Sequence, residues 1–147
     1  QVSITLRGRH EMYLLSARIE ERILRERYHG QLFSGFQRLS HFSARHPTYQ
    51  RLSAQLDRVV VLAYPDAQPM PMPGIDFVPL SWEDALLSEW FVIFRGADYL
   101  SALIAREYLH EDGSVDYESV WTFDEQVISK VVASLSSRLH GQDKTQS

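Results

Sequence analysis

The sequence predicts an α/β fold, a three-layer sandwich in which helices flank a central, mainly parallel sheet. Two observations lead to this prediction. Strand-like and helix-like segments alternate through most of the chain, and the clearest strand, residues 58–64, is almost continuously apolar, as in strands covered on both faces. The 147 residues fit a single domain, residues 1–140, followed by a polar C-terminal tail, residues 141–147.

The first half of the chain begins with a short alternating strand and a helix. Met12, Leu15, Ile19 and Ile23 recur at intervals of three and four residues, which stacks them on one helix face. Pro47 interrupts a second helical segment, and we expect a new helix to start there because proline is tolerated in a first turn. The predicted elements, in order, are a strand at 2–6, a helix at 11–28, a strand at 32–36, helices within 39–56 and a strand at 58–64.

The second half opens with a proline-rich stretch at 65–74, which we expect to be an exposed loop. Ser81 has the character of a helix cap, and the apolar spacing within 98–109 predicts a helix. The other predicted elements are strands at 75–80, 90–95 and 117–122 and a final helix at 124–139. Ligands of parallel sheets bind outside the carboxyl ends of the strands. We expect those ends near residues 36–38, 64–65, 94–96 and 121–122.

The composition narrows the possible functions. A formal net charge of −4 gives no general electrostatic attraction to nucleic acid. The absence of cysteine excludes thiol catalysis, disulfides and cysteine-ligated metals. No apolar run approaches the roughly 20 residues that span a bilayer, and no signal peptide is recognisable. Because the chain starts at Gln1 without a targeting segment, we expect it to be a piece of a longer cytoplasmic protein.

Familiar catalytic and cofactor motifs are also missing from the sequence. The seven glycines are scattered and form neither of the glycine-rich loops that hold phosphates. No serine stands in a GxSxG turn, and the six histidines form no HxxxH or HExxH pair. We therefore expect no catalytic residue, no cofactor and no dedicated metal site. An enzyme with an unrecognised site is therefore the least favoured interpretation of the sequence.

A tryptophan and an acidic residue stand close together at two strand ends, in residues 87–94 and 120–124. Glu89 directly precedes a buried strand, so its carboxylate must reach solvent, pair with a base or line a cavity. An ion pair with an arginine, with Trp90 in the core, is the favoured interpretation. The alternative places Glu89 at the rim of a pocket walled by Trp82 or Trp90.

The second segment, residues 120–124, precedes the last predicted helix. Thr122 is expected to cap that helix while Glu125 reaches back to it, and Asp124 suits the positive end of the helix dipole. A binding role is possible in addition, since helix N-termini accept polar ligands. The full set of candidate ligand-binding residues is Arg38, Trp82, Glu89, Trp90, Arg106, Thr122 and Asp124.

Several short motifs, in their order and spacing, carry a family resemblance. They are residues 35–37, the segment 38–52, residues 59–61, 87–93, 102–107 and 120–124 together with the closing helix. Over roughly residues 10–140 the chain resembles the DICT domain, a module named for its occurrence with diguanylate cyclases and two-component systems. The resemblance implies a non-catalytic sensory domain joined to cyclic-di-GMP enzymes, histidine kinases or DNA-binding regulators, often in light responses.

The resemblance and the residues together predict a sensory or protein-interaction domain of a bacterial signalling protein. Its expected partners are neighbouring signalling domains and an unknown small molecule, with no direct contact to nucleic acid or membrane. The terminal helices also offer a surface for a homodimer. The alternative is an effector-binding domain of a transcription regulator with a pocket near Arg38, Glu89 and Arg106. A light signal through a thioether-linked bilin would have to come from a neighbour, because the chain has no cysteine.

Overall fold

The structure, a computed structural model, describes residues 1–68 and 72–145, and for residues 140–145 the backbone alone. Its centre is one seven-stranded sheet with the strand order β1-β7-β6-β5-β2-β3-β4. The strands are β1 (Val2–Arg7), β2 (Gly30–Arg38), β3 (Arg58–Tyr64), β4 (Ile75–Pro79), β5 (Glu89–Gly96), β6 (Leu100–Leu109) and β7 (Val115–Thr122). The strands predicted at 2–6, 32–36, 58–64, 75–80, 90–95 and 117–122 are therefore confirmed within two residues at every end.

The sheet is mixed and mostly antiparallel, so the predicted fold, a mainly parallel sheet flanked by helices, is wrong. Only β2 with β3 and β3 with β4 pair in parallel, whereas the other four neighbouring pairs are antiparallel. The error comes from residues 98–109, which form the strand β6 and not a crossover helix. Antiparallel strands can be joined by short turns, and β5, β6 and β7 follow one another in this way.

The helices are fewer than the strands. They are α1 (Gly8–Arg25), α2 (Leu39–Phe42), α3 (His46–Gln55) and α4 (Glu125–Thr145), with single 3-10 turns at Ser43–Arg45 and Ala85–Ser88. Both α1 and α4 are longer than any strand. Pro47 lies in the first turn of α3, as predicted. Ser81 does not start a helix. Asp84 instead accepts a 3.0 Å hydrogen bond from the Leu86 N–H and caps the short 3-10 turn.

The cap of α4 also differs from the prediction. Oδ1 of Asp124 accepts hydrogen bonds from Gln126 N at 2.8 Å and Val127 N at 3.2 Å. The hydroxyl of Thr122 instead accepts from the Asp124 N–H at 3.1 Å. Asp124 is therefore the capping residue. The predicted tail is partly helical, because the α4 backbone continues to Thr145. Residues 146–147, and residues 69–71 of the predicted proline-rich loop, lie outside the described residues.

Side chains are buried on both faces of the sheet. On one face, α1 and α3 contribute Met12, Ile19, Ile23, Tyr49 and Leu52 to a core with strand residues of β2, β3 and β5. On the other face, α4 contributes Ile128, Val132 and Leu135. Strands β2, β3 and β5 are covered on both faces, which explains why their sequences are almost continuously apolar. No helix among the described residues is long and apolar enough to cross a membrane.

The strand directions determine which ends meet. Strands β1, β2, β3, β4 and β6 run one way, whereas β5 and β7 run the other way. The carboxyl ends of β1, β2, β3 and β6 therefore share one edge of the sheet with the beginning of β5. The ends predicted near residues 94–96 and 121–122 lie at the opposite edge. The shared edge is called the carboxyl edge below.

Candidate functional site

A β-bulge disturbs β2 where it reaches the carboxyl edge. Gly35 pairs with Leu62 and Gln37 pairs with Ala63, which leaves Phe36 as an extra residue between them. Gln37 adopts φ 65°, the left-handed region that side chains rarely occupy. The bulge places Phe36 and Gln37 on the same side of the sheet, although consecutive strand residues normally alternate. Such strained backbone is common at binding and active sites.

The bulge presents the Gln37 amide to a polar network. Nε2 of Gln37 donates a 3.1 Å hydrogen bond to Glu107 Oε2, and the Tyr117 hydroxyl donates to Gln37 Oε1 at 3.4 Å. The other Glu107 oxygen lies 3.4 Å from Arg9 Nη2. Burial, reinforced by the Glu107 charge, raises the pKa of Tyr117 to about 12, so its hydroxyl remains a donor. The network joins α1, β2, β6 and β7 at one place.

A cavity of about 430 Å³ opens beside this network and is called the Arg38 cavity. It is lined by Arg9, Gln37, Arg38, His41, Tyr64, Trp82, Leu87, Glu107 and Leu109. The Arg38 guanidinium carbon lies 5.6 Å from the centre of the Trp82 ring, a cation–π contact. The Trp82 ring meets Tyr64 edge to face at 5.2 Å. One wall of the cavity is therefore aromatic and carries a cation.

A second cavity of about 330 Å³, the Trp90 cavity, shares Arg9 and His41 with the first. Its other lining residues are His10, Tyr13 and Trp90. Together the two cavities form the carboxyl-edge cleft. The Trp90 ring is 2% exposed and stacks on His41 with 6.1 Å between ring centres and 9° between planes. Its indole N–H is buried and has no hydrogen-bond partner among the described residues, which is uncommon for a buried donor.

His41 is the histidine common to both cavities. Its Nδ1 lies 3.1 Å from the Phe36 carbonyl oxygen, so Nδ1 carries the hydrogen that this bond needs. Burial lowers the pKa of His41. The charges of Arg9 and Arg38 lower it further, against the raising effects of the Phe36 hydrogen bond and of Asp66. The cleft therefore favours a neutral imidazole with Nε2 available as an acceptor.

A fully buried charge network lies behind the cleft. Glu20 of α1 accepts a 2.8 Å hydrogen bond from Arg45 Nε and another from the Tyr49 hydroxyl. Tyr49 also lies within 2.6 Å of the Ser34 hydroxyl. Arg45 is stacked over the ring of Tyr13 at 5.3 Å, and Tyr13 lines the Trp90 cavity. The network therefore connects the wall of the cleft with the interior.

The pKa values of this network follow from its burial. Burial raises the pKa of Glu20 to about 6, although Arg45 and the Tyr49 hydrogen bond oppose the shift. Burial, with the neighbouring Glu20 charge, raises the pKa of Tyr49 well above its ordinary value. Glu20 and Arg45 are 0% and 7% exposed, so each depends on the other for compensation of its charge.

The structure separates the residues that the sequence grouped as candidates. Arg38, Trp82 and Trp90 line the carboxyl-edge cleft. Glu89 and Arg106 face each other across β5 and β6, with 3.6 Å between Glu89 Oε1 and Arg106 Nη2. This pair lines neither cavity of the cleft. It matches the favoured interpretation of Glu89 as an ion-pair partner with Trp90 in the core.

The other two candidates, Thr122 and Asp124, lie outside the cleft. Thr122 ends β7 at the edge opposite the cleft and accepts the Asp124 N–H, and Asp124 caps the first turn of α4. A separate cavity of about 410 Å³ lies at that edge, between α1 residues and the rings of Tyr99 and Trp121. Neither Thr122 nor Asp124 lines it.

Sequence reasoning missed Arg9, Gln37, His41 and Glu107. Glu107 was assigned to a helix, so its proximity to Gln37 could not be foreseen. Gln37 stands after Gly35 and Phe36 at a strand end, and this glycine is a usable signal. A Cβ on Gly35 would lie 2.2 Å from the Phe91 ring, so the strand needs glycine there. Among the described residues, no three His, Asp or Glu side chains gather in a way that could hold a metal ion.

Two solved structures are similar to the chain in fold. The archaeal chromatin protein TrmBL2, whose structure shows a novel mode of DNA binding, matches with a TM-score of 0.61 and 11% identity over 96% of this chain and 53% of that one. Polyphosphate kinase from Porphyromonas gingivalis matches with a TM-score of 0.56 and 13% identity over 95% of this chain and 24% of that one. The chain thus spans about half and about a quarter of these proteins, and the likeness shows the fold alone.

No curated protein matches the chain in sequence. A family model does match, over residues 8–108, well beyond half of the chain. The matched region runs from the start of α1 into β6 and includes Arg9, Gln37, Arg38, Trp90 and Glu107 of the cleft. The chain therefore belongs to the DICT family, the sensory domain in diguanylate cyclases and two-component systems.

Proposed function

We propose that this DICT domain binds a small molecule in the carboxyl-edge cleft and relays its occupancy to neighbouring signalling domains. The observation that carries the proposal is the strained Gln37 at φ 65°, whose amide reaches the cleft network. A strained residue persists only where the surrounding structure holds it, and such residues cluster at binding sites. The cavity volumes of about 430 and 330 Å³ fall in the range of small-molecule pockets.

Support also comes from how the cleft is assembled. It takes residues from α1, from the end of β2, from the beginning of β5 and from β6. A ligand that displaces Arg9 or Tyr13 therefore acts on α1. The Glu20 network connects α1 to α3 and β2. We propose α1 as the element that carries the signal outward. No catalytic step is part of this proposal.

The alternative, an effector domain of a transcription regulator, would use the same cleft with a different output domain. A light-related signal would reach this domain from a chromophore-bearing neighbour. Both versions require a ligand or a partner to alter the cleft. The rival location is the cavity of about 410 Å³ near Tyr99 and Trp121, where Arg22 lies 4.6 Å over the Tyr99 ring.

The experiment is a thermal-shift screen of the chain against nucleotides, cyclic dinucleotides, tetrapyrroles and common metabolites. A ligand at about 100 times its dissociation constant adds ~2.7 kcal/mol of stability. We expect a hit that Trp82→Ala abolishes and Phe123→Ala preserves. These rings are 64% and 48% exposed, so neither change should disturb the core. A hit that survives Trp82→Ala and is lost in Phe123→Ala would contradict the proposal and favour the opposite edge.

A further inference from the structure

The charge of the cleft is opposite to that of the whole chain. The charged residues that line the Arg38 cavity are two arginines, Arg9 and Arg38, against one carboxylate, Glu107. The whole chain has a formal net charge of −4. A positively charged cavity is not expected from the acidic average composition of the chain.

The carboxylate in the cleft is already engaged. One Glu107 oxygen receives the Gln37 amide at 3.1 Å, and the other lies 3.4 Å from Arg9. Arg38, by contrast, has no carboxylate within ion-pair distance among the described residues, and its guanidinium contacts the Trp82 ring. All the donors of that planar group remain available for a carboxylate or phosphate.

Asp66, an acid outside the cavity lining, follows the end of β3 and acts through its charge on His41. Its two oxygens accept the Ser40 N–H at 2.9 Å and the Ser40 hydroxyl at 2.6 Å. Burial, the largest single effect, raises the pKa of Asp66, but these bonds, a bond to its own backbone and the charge of Arg38 together lower it. Asp66 is therefore satisfied by Ser40. Burial is the main cause of the lowered pKa of His41, and the charges of Arg9 and Arg38 add to it while Asp66 opposes it.

The aromatic groups of the cleft present flat surfaces. Trp82 stands beside Arg38 and meets Tyr64 edge to face, while the buried Trp90 is stacked on His41. Trp82 is 64% exposed, which is a large apolar exposure for a ring at the rim of a polar cavity. A planar ring placed on Trp82 would cover it.

Building on the proposed function, we propose that the ligand of the carboxyl-edge cleft is a small organic anion that carries a planar ring. Its carboxylate or phosphate group binds Arg38 and its ring covers Trp82. The chemistry common to carboxylates and phosphates is an oxygen pair that matches the guanidinium fork. Cations and neutral sugars would leave Arg38 without a partner.

The test measures dissociation constants by calorimetry for four probes: phenyl phosphate, benzoate, benzamide and inorganic phosphate. Phenyl phosphate and benzoate combine a ring with a charge, benzamide keeps the ring alone, and inorganic phosphate keeps the charge alone. We expect phenyl phosphate or benzoate to bind at least about tenfold more tightly than either single-feature probe. Which of the two binds better assigns the anion as phosphate or carboxylate.

Two arginine variants locate the binding. Arg38→Gln should weaken the better anion by about tenfold or more. Arg106→Gln, an exposed arginine with a 69% exposed side chain outside the cleft, should change nothing. Equal affinity for benzamide and the anions, or an unchanged affinity in Arg38→Gln, would overturn the proposal. Absence of binding by all four probes would also overturn it.

The failure of this inference can be distinguished from failure of the proposed function. A neutral or cationic hit from the metabolite screen that is lost in Trp82→Ala would keep the cleft as a sensor and overturn its anionic ligand. A screen without any hit sensitive to Trp82→Ala, together with four probes that do not bind, would overturn both.

Discussion

The side-chain amide of Gln37 donates a 3.1 Å hydrogen bond to Glu107 while its backbone stands at φ 65°. A left-handed conformation costs a side-chain-bearing residue roughly 1–2 kcal/mol. The bulge in β2 turns this amide toward Glu107 and Tyr117. The two features are therefore linked: the strain in β2 positions a polar group in the cleft.

This link predicts effects of different size for two substitutions of Gln37. Gln37→Gly should change the free energy of unfolding by no more than about 1 kcal/mol, because relief of strain offsets the lost hydrogen bonds. Gln37→Val should cost at least about 2 kcal/mol, because a β-branched residue is poorly tolerated at positive φ. Urea unfolding measures both. A glycine variant as unstable as the valine variant would contradict strain at this position.

The buried Glu20 predicts a pH-dependent stability. Its pKa is raised from 4.5 to about 6 in the folded protein, so the folded state binds its proton more tightly than the unfolded state does. The stability that protonated Glu20 contributes is therefore lost as pH rises from about 4.5 to about 6. A shift of this size corresponds to about 2 kcal/mol.

A comparison with Glu20→Gln isolates this contribution, because all other titrating groups are shared. The free energy of unfolding of the natural chain, minus that of Glu20→Gln, should fall by about 2 kcal/mol between about pH 4 and pH 7. Chemical denaturation at several pH values provides the difference. A difference that stays constant or rises with pH would show that the folded state does not raise this pKa.

Tyr49 is predicted to matter through its hydroxyl. Tyr49→Phe keeps the ring in the core but removes a hydrogen bond to buried Glu20 and the contact with Ser34. We expect a loss of about 1–3 kcal/mol, because a buried polar group then lacks a partner. Tyr108→Phe is the control, since Tyr108 is 54% exposed and should lose less than about 0.5 kcal/mol. Equal effects of the two variants would contradict the structural role of the network.

The Glu89–Arg106 pair is predicted to contribute little energy and no binding. The two side chains are 24% and 69% exposed with 3.6 Å between charged atoms, so solvent screens their attraction. A double-mutant cycle with Glu89→Gln and Arg106→Gln should give a coupling of about 0.2–1 kcal/mol. Probe affinity should be unchanged in either variant. A coupling above about 2 kcal/mol would show a stronger pair than its exposure allows.

The strands were largely predictable because a strand buried on both faces has an almost continuously apolar sequence. The segments 58–64 and 90–95 are apolar, β-branched or aromatic, and each occupies the predicted place. Residues 98–109 misled the prediction because Leu100, Leu103 and Ile104 fit a helical repeat as well as a strand covered on both faces. That error replaced a hairpin with a crossover, and the helix expected from Ser81 was a second crossover that the structure does not have.

The cleft could be predicted only in part. Arg38, Trp82 and Trp90 stood out because aromatic and basic residues at strand ends are visible in a sequence. Arg9 and Glu107 are 98 residues apart, and their proximity depends on β1 and β6 running the same way. Strand direction depends on which strands pair in the folded protein, and no local sequence pattern predicts that pairing. The Glu20 network could not be predicted for the same reason, because its members come from four separate elements.

The most direct measurement of the central claim uses the indole N–H resonances of the three tryptophans. Trp82 and Trp90 lie in the carboxyl-edge cleft, whereas Trp121 lies at the opposite edge and donates to Ser101 at 2.8 Å. In a nuclear magnetic resonance titration with phenyl phosphate, we predict that the Trp82 and Trp90 resonances shift together while Trp121 stays in place. A shift confined to Trp121 would place binding at the opposite edge and contradict the account.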